Sequence, residues 1–373
     1  MSVNTKQGGK GLRFIVAGGG TGGHIFPAVA IANALKKMLP DSEFLFVGAA
    51  GKMEMEKVPQ AGYQITGLTI AGFNRSSLIK NIALPYKLIK SFLQVARIMK
   101  QFGPDAVIGV GGYSSFPVLR YAQSKGIPTF IHEANSFAGK SNMMLGKKAS
   151  CIFTATDGME KFFPASKIII SGNPVRQAIL DNNADKKEAL KHFGLQENKK
   201  IVLVVGGSLG AKTINEAIDK DLDLFSSNDL QLIWQTGKPY FEKAKERCKG
   251  RGQIFVSDFI SRMELAYAAA DMVISRSGAM SVSELCIVKK PVVFVPYPFA
   301  AEDHQTVNAQ NLVKKNAAML IPDNQALDKL VPAVIALSKD EVLQETLKEN
   351  IGKLAVTNAD SIIAEHIINS LKK

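Results

Sequence analysis

The sequence predicts an α/β protein of two doubly wound, Rossmann-like domains facing across a cleft. Three observations carry this. Short apolar, β-rich runs alternate with stretches that are apolar at helical spacing, the pattern of parallel strands joined by crossover helices. The opening strand, glycine turn and helix, "RFIVAGGGTGGHIFPAVAIANAL" (13–35), returns as "KIVLVVGGSLGAKTINEAI" (200–218). The chain has 373 residues, enough for two domains with full cores.

In the first copy "RFIVA" reads as a strand and "PAVAIANAL" as a helix, with Pro27 just inside its start, where a missing N–H matters least. Between them Gly18, Gly19, Gly20, Gly22 and Gly23 form a turn that lets backbone approach a ligand, and the helix start offers N–H groups to an anion. The spacing Gly18-x-Gly20-x-x-Gly23 fits a dinucleotide fingerprint, which also demands an acid at the end of the next strand. That strand, "EFLFVG", ends at Gly48-Ala49-Ala50, and Glu43 stands at its opposite edge, so the nicotinamide reading loses most of its support. The strands "DAVIGVGG", "PTFIHEA" and "KIIISGN" follow. A polar, charged stretch (181–200) after "SGNPVR" (171–176) marks the seam, giving domains of 1–172 and 173–355. Ligands of such folds bind beyond the carboxyl ends of the strands.

Charge is unevenly placed. Residues 1–172 hold 20 Lys/Arg against 8 Asp/Glu, and residues 173–373 hold 26 against 25, within a net charge of +13. The excess is densest in 73–104, which carries Arg75, Lys80, Lys87, Lys90, Arg97 and Lys100 and no acid. Lys80, Lys87, Lys90 and Arg97 share a helical face, with Pro85 starting a fresh helix among interleaved apolar residues. Such an element suits an anionic membrane surface, or equally a solvated helix with its apolar side in the core. Its few aromatics form no stacking platform for nucleic acid. Cys151, Cys248 and Cys286 are scattered and odd in number, which points to a reducing compartment with neither a disulfide framework nor a zinc site. No signal peptide is expected, and no run approaches the roughly 18–20 apolar residues of a membrane span.

In the second copy "GGSLGAKT" (206–213) nearly spells a Walker A loop, but Ala211 stands where the second glycine is required. A turn carrying Ser208 still suits a phosphate through backbone N–H groups and a hydroxyl. "LQLIWQTG", "DMVISRSG" and "PVVFVPYP" are the following strands. After "DMVIS", Arg276-Ser277-Gly278 turn into a helix bearing Ser281, Ser283 and Glu284. Its start is open to an anion, and a carboxylate there can accept from a ribose diol. N-capping serines with a dipole-favoured glutamate account for the same residues.

The set "GGTGGHIFPA", "GVGGYSSFP", "HEAN", "SGNPVR", "GGSLGA", "RSGAMSVSE" and "PFAAEDHQTVNA", collinear over nearly the whole chain, resembles the bacterial N-acetylglucosaminyltransferases of glycosyltransferase family 28. These GT-B enzymes convert lipid I to lipid II in peptidoglycan synthesis. The resemblance implies inverting transfer from UDP-N-acetylglucosamine to the C4 hydroxyl of the lipid-linked MurNAc-pentapeptide, with no metal and no cofactor. It implies a donor-binding C-terminal domain, an acceptor-binding N-terminal domain, and a last helix (356–373) returning to the N-terminal domain. It also implies peripheral attachment, through 73–104, to the anionic cytoplasmic face of the inner membrane, and no nucleic-acid partner.

By the same resemblance His24 is the base, and Thr21, Gly22 and Gly23 contact the sugar nucleotide. Asn135 matches a donor-sugar contact in a loop whose Ala134 stands where the family usually has Gln. Arg176 and Ser208 match diphosphate contacts, and the backbone of Ile260 matches the uracil reader. Ala279, Met280, Ser281, Val282, Ser283 and Glu284 match the nucleotide-binding helix start, with Glu284 on the ribose, and Gln305 matches a sugar-hydroxyl contact. Glu133 is the reserve base, while His132 and His304 are read first as satisfied histidines beside loops. Two other classes stand against this reading. One is another UDP-sugar enzyme on the GT-B fold, an epimerase or a transferase to a soluble or glycolipid acceptor. The other is a membrane-bound scaffold without activity.

Overall fold

The structure, a computed structural model, describes residues 11–72, 84–181, 184–207, 209–300 and 303–372. Ser208 and the 73–83 part of the basic segment, with Arg75 and Lys80, lie outside the described residues. The chain forms two compact units. The first comprises residues up to Ala134, Ala138–Pro174 and the segment from Asn358; the second comprises Asn135–Phe137 and Val175–Thr357.

The first unit runs β1 (Arg13–Ala17), α1 (Gly22–Met38), β2 (Glu43–Ala49), α2 (Glu54–Gln60), β3 (Gln64–Leu68), α3 (Leu84–Phe102), β4 (Ala106–Gly109), α4 (Ser115–Ser124), β5 (Thr129–Glu133), α5 (Lys140–Gly146), β6 (Cys151–Thr154) and β7 (Ile168–Ile170). Its strands form one sheet in the order β3-β2-β1-β4-β5-β6-β7, with all pairs parallel. Successive side chains of β1 point to opposite faces. Phe14 and Val16 join Ile31 and Leu35 of α1 in one core, whereas Ile15 and Ala17 join Val95 of α3 and Leu119 of α4 in the other. A strand covered on both faces must be apolar throughout, which is why these strands read as unbroken apolar runs rather than alternating ones.

The second unit repeats the plan with α6 (Gln177–Asp181), α7 (Lys186–Phe193), β8 (Lys200–Val205), α8 (Lys212–Lys220), α9 (Leu222–Ser227), β9 (Leu230–Gln235), α10 (Lys238–Arg247), β10 (Ile254–Ser257), α11 (Met263–Ala269), β11 (Met272–Ser275), α12 (Ala279–Val288), β12 (Val292–Phe294), α13 (His304–Val313), β13 (Met319–Leu320), α14 (Ala326–Lys339) and α15 (Glu341–Gly352). The sheet order is β10-β9-β8-β11-β12-β13, the order of the first six strands of the first unit. In each sheet the winding reverses direction between two neighbouring strands, β1 and β4 in one and β8 and β11 in the other. Loops leaving the carboxyl ends of those strands diverge and open a crevice. The glycine turn 18–21, Gly206 and Gly207 after β8, and the "RSG" turn all sit at such ends.

One element differs from its expected bounds. α1 begins at Gly22, not at Pro27, which lies inside the helix. The buried stripe explains this: Ile25, Ala28, Ile31, Ala32 and Leu35 share one face, so the helical period already starts before the proline. Gly22, Gly23 and His24 therefore belong to the first helical turn.

The last helix, α16 (Ala359–Leu371), packs on α1. Ile363, Ala364 and Ile367 are fully buried in the core that holds Phe14 and Ile31. Replacing Ile367 with Ala should cost about 2–4 kcal/mol, a transfer loss plus a cavity. Urea unfolding followed by far-UV circular dichroism measures this. Val342→Ala on α15, at a residue 80% exposed, should change stability by no more than about 0.5 kcal/mol.

Candidate active site

In the first unit the turn after β1 lies against the turn after β4, backbone on backbone. A Cβ on Gly112 would stand 2.6 Å from the Gly19 carbonyl oxygen, and one on Gly111 would stand 2.9 Å from the His24 ring. Both glycines also have positive φ, +83° and +96°, so no other residue fits without strain. His24 sits in the first turn of α1, half-buried, with Nδ1 3.0 Å from the Gly19 carbonyl oxygen. A carbonyl only accepts, so neutral His24 carries its proton on Nδ1 and its lone pair on Nε2. Thr21, the N-cap residue, is extended and makes no side-chain cap, so the helix start with Gly22 and Gly23 presents backbone N–H groups.

A residue that the sequence reading missed holds this turn. Glu54, 1% exposed at the start of α2, accepts from the N–H of Gly20 at 2.8 Å and from that of Ala49 at 2.9 Å. Nothing in "GKMEMEKV" distinguishes Glu54 from the exposed Glu56 two residues on.

His132 on β5 is wholly enclosed. Burial pushes its imidazole down to about 4, and nearby His24 adds to the effect. The Gly172 carbonyl and the Asn173 side chain lie close enough to oppose that shift, yet neither ring nitrogen reaches a partner in good hydrogen-bond geometry. Desolvation therefore dominates, and His132 is neutral at physiological pH. Glu133, the reserve base, accepts through Oε2 from Gly139 N–H at 3.0 Å and Asn142 Nδ2 at 2.9 Å, bracing the turn into α5. Asn135 is half-buried and falls with the second unit.

In the second unit Arg176 and Glu284 do not stand apart as two separate contacts. Arg176 donates through Nε at 3.0 Å and Nη2 at 2.8 Å to Oε1 of Glu284. The other carboxylate oxygen accepts from the Tyr267 hydroxyl at 3.0 Å. Tyr267, on α11, was not anticipated; burial and the adjacent carboxylate raise its hydroxyl well above the ordinary tyrosine value. Glu284 lies in the second turn of α12, whose N-cap is Gly278 and whose start carries no side-chain cap. A Cβ added at Gly278 would meet nothing within 4 Å, so the N-cap position itself is open, while Ala279, Met280 and Ser281 behind it are half-buried. Ser283 turns its hydroxyl back to the Ala279 carbonyl at 3.1 Å, while Val282 N–H closes the first helical bond on Gly278.

Arg276, inside the "RSG" turn, is structural. Its Nη1 donates to the carbonyls of Val295 and Pro296, both at 2.9 Å, and to Asp323 at 2.5 Å. Ser277 holds Gln305 by its carbonyl at 2.8 Å, and Gln305 Oε1 accepts from Tyr297 N–H at 3.0 Å. Ile260, at the end of the β10 loop, donates its N–H to Gln235 Oε1 at 2.9 Å, and Gln235 Nε2 donates to Gly207 at 3.0 Å. Gln235 thus ties the glycine turn to the β10 loop. His304 is the first residue of α13 and half-buried.

Comparison with known proteins gives a consistent result. The model of the glycosyltransferase family 28 N-terminal domain matches residues 14–154, and that of the family 28 C-terminal domain matches residues 201–365. A Bacteroides fragilis protein named UDP-N-acetylglucosamine–N-acetylmuramyl-(pentapeptide) pyrophosphoryl-undecaprenol N-acetylglucosamine transferase is 52% identical, over 98% of this chain and 97% of its own. A Parabacteroides distasonis protein of the same name is 52% identical, over 97% and 99%. The crystal structure of Acinetobacter baumannii MurG superposes with a TM-score of 0.76 at 29% identity, covering 96% of this chain and 99% of that one.

His132 makes stability depend on pH. Its folded value of about 4 lies below the unfolded value of ~6.5, so between these limits the unfolded chain binds more protons. Stability should therefore be full above pH ~6.5 and fall as pH drops toward 4, by up to about 3 kcal/mol. His132→Asn should flatten that part of the profile of unfolding free energy against pH.

Proposed function

The chain belongs to glycosyltransferase family 28, and from that premise we propose that it transfers N-acetylglucosamine from UDP-N-acetylglucosamine to the C4 hydroxyl of the MurNAc-pentapeptide on undecaprenyl diphosphate, turning lipid I into lipid II. The observation that carries this reading is the 52% identity, over 98% of the chain, to a protein named for that transfer.

The second unit binds the donor. Glu284, already turned into place by Arg176 and Tyr267, accepts from a ribose hydroxyl through the one lone pair these donors leave on Oε2. The diphosphate sits at the uncapped start of α12, Ala279 to Ser281, with Arg176 beside it. Ile260, its N–H held by Gln235, offers its carbonyl to the uracil N3–H. Gln305, with Oε1 on Tyr297, turns its amide donors to the sugar hydroxyls.

The first unit supplies the base. Nε2 of His24 takes the proton of the acceptor C4 hydroxyl as that oxygen bonds to the anomeric carbon, and the bond from that carbon to the diphosphate breaks. Attack is in line, so the α-linkage becomes β. UDP departs with its new charge held by N–H groups and arginine, the work a metal does elsewhere. Thr21, Gly22, Gly23 and Asn135 line the sugar nucleotide.

The acceptor is lipid-linked, and α3 supports docking on an anionic membrane at its cytoplasmic face. Its core side is Ser91, Val95 and Met99. Tyr86, Ile89 and Leu93 are 69%, 65% and 68% exposed, and Lys90, Arg97 and Lys100 flank them. A helix merely packed on the core would not leave three large apolar residues outside.

Release of UDP, measured with and without a lipid I analogue in EDTA, tests the reaction. It should require the acceptor and survive the chelator; release without acceptor would instead identify an epimerase-like enzyme. His24→Ala should lower turnover by roughly 10² or more with little change in UDP affinity, whereas Glu284→Ala should weaken UDP binding itself.

Sedimentation with phosphatidylglycerol vesicles tests the surface. Reversing Lys90 and Arg97 to Glu should weaken binding on the order of tenfold or more at low salt, and high salt should erase the difference. Indifference of vesicle binding to these charges would return α3 to a packed helix.

A further inference from the structure

We infer that Glu54 is a positioning residue for the base: through the single peptide group between Gly19 and Gly20, its carboxylate orients His24 and fixes the tautomer that leaves the lone pair on Nε2. The inference rests on the reading of His24 as the base and adds to it a residue from another element, 30 positions away in sequence.

The geometry is a chain of two hydrogen bonds through one amide. The N–H of Gly20 donates to Glu54 Oε2 at 2.8 Å. The carbonyl of Gly19, the other half of that same peptide, accepts from His24 Nδ1 at 3.0 Å. N–H and C=O of a trans peptide lie in one plane and point in opposite directions within it, so carboxylate, peptide and imidazole are strung in series. A negative group on the N–H draws electron density toward the carbonyl oxygen, which becomes a stronger acceptor for Nδ1–H. When Nε2 takes a proton, the resulting imidazolium is stabilised along the same line. In the Ser-His-Asp arrangement a carboxylate does this directly; here an amide stands between.

Several features show that the carboxylate is built into this position. Glu54 is 1% exposed, so water screens its charge little. Oε1 is anchored by the N–H of Ala49, at the end of β2. A Cβ on Gly19 would stand 2.2 Å from Oε1, and one on Gly48 would stand 2.5 Å from Cγ, so the loop has glycine where the carboxylate presses against it. Gly19 has φ +149° and Gly20 φ +90°, which turn the peptide between them. The opposite edge of the His24 ring faces Gly111, where a Cβ would come within 2.9 Å of Nε2. The imidazole is thus confined between a polarised carbonyl and bare backbone.

The test is Glu54→Gln. The amide has one acceptor oxygen where the carboxylate has two, so one of the two N–H groups loses its partner. In protein labelled with 15N-histidine, with His24 assigned by the signal lost in His24→Ala, the wild type at pH 8 should show the Nδ1–H form. Glu54→Gln should populate the Nε2–H form. Its kcat should fall on the order of tenfold, a fraction of what a positioned base contributes, while KM for UDP-N-acetylglucosamine stays within about twofold. A wild-type His24 protonated on Nε2 overturns the relay even where the variant fails to fold. So does a folded Glu54→Gln protein with wild-type tautomer and turnover. A shifted tautomer with wild-type kcat upholds the relay and removes His24 as the base, so failure of that assignment is separable from failure of the inference.

Discussion

Bare backbone packed against bare backbone, with no room for a Cβ, is the contact on which both sites depend. In the first unit Gly112 meets Gly19 in this way. In the second a Cβ on Gly210 would stand 1.9 Å from the Thr236 carbonyl oxygen. The first contact falls where strand order reverses, between the loops after β1 and β4, and the second between the loops after the adjacent strands β8 and β9. Glycine makes the approach sterically possible but brings no side chain to fix the loop, and it leaves the unfolded chain more conformational freedom to lose. A side chain from a neighbouring element supplies what glycine lacks. Glu54 clamps the first turn by linking Gly20 to Ala49 at the end of β2, and Gln235 clamps the second by linking Gly207 to Ile260. The two units thus share a sheet order, a glycine turn and a buried polar clamp, although the clamps come from different elements, α2 in one and β9 in the other.

Charge burial shows a second shared rule. A carboxylate taken from water is tolerated where its lone pairs are met by donors. Glu284, with a side chain 8% exposed, is met by Arg176 and Tyr267. Arg276, similarly enclosed, is met by two carbonyls and Asp323, with its guanidinium also over the Tyr297 ring. Of the two arginines placed near α12, the one within the sequence motif braces a loop, and the one from more than 100 residues upstream meets the carboxylate.

The sheets, the repeat and the glycine turns were legible because each is written in contiguous residues: apolar runs, helical spacing and glycine at strand ends. The start of α1 was less so, since Pro27 drew attention away from Ile25, where the buried stripe begins. Short strands such as β6 (four residues) and β13 (two residues) carry too little pattern to stand out. Glu54, Tyr267 and Gln235 were invisible for a different reason. Each works on backbone or carboxylate far off in sequence, and a glutamate or tyrosine on a short helix looks like any other. The candidate site was readable as loops and helix starts; the side chains that hold those loops become readable only once the fold brings them together.

The choice among acids and histidines of the first unit follows from that fold. A base must reach a substrate hydroxyl and must have a lone pair aimed outward. His132 lies at 0% exposure within the sheet, where no hydroxyl of a sugar reaches it. Glu133 has Oε2 engaged by two donors that shape the turn into α5, so shifting it would loosen that turn. His24 alone of the three stands at a helix start, half-buried, with Nδ1 fixed on backbone and Nε2 on the opposite side of the ring. Gly111 and Gly112, which have no room for a Cβ beside the His24 ring and the Gly19 carbonyl, hold the ring of the proposed base directly against backbone.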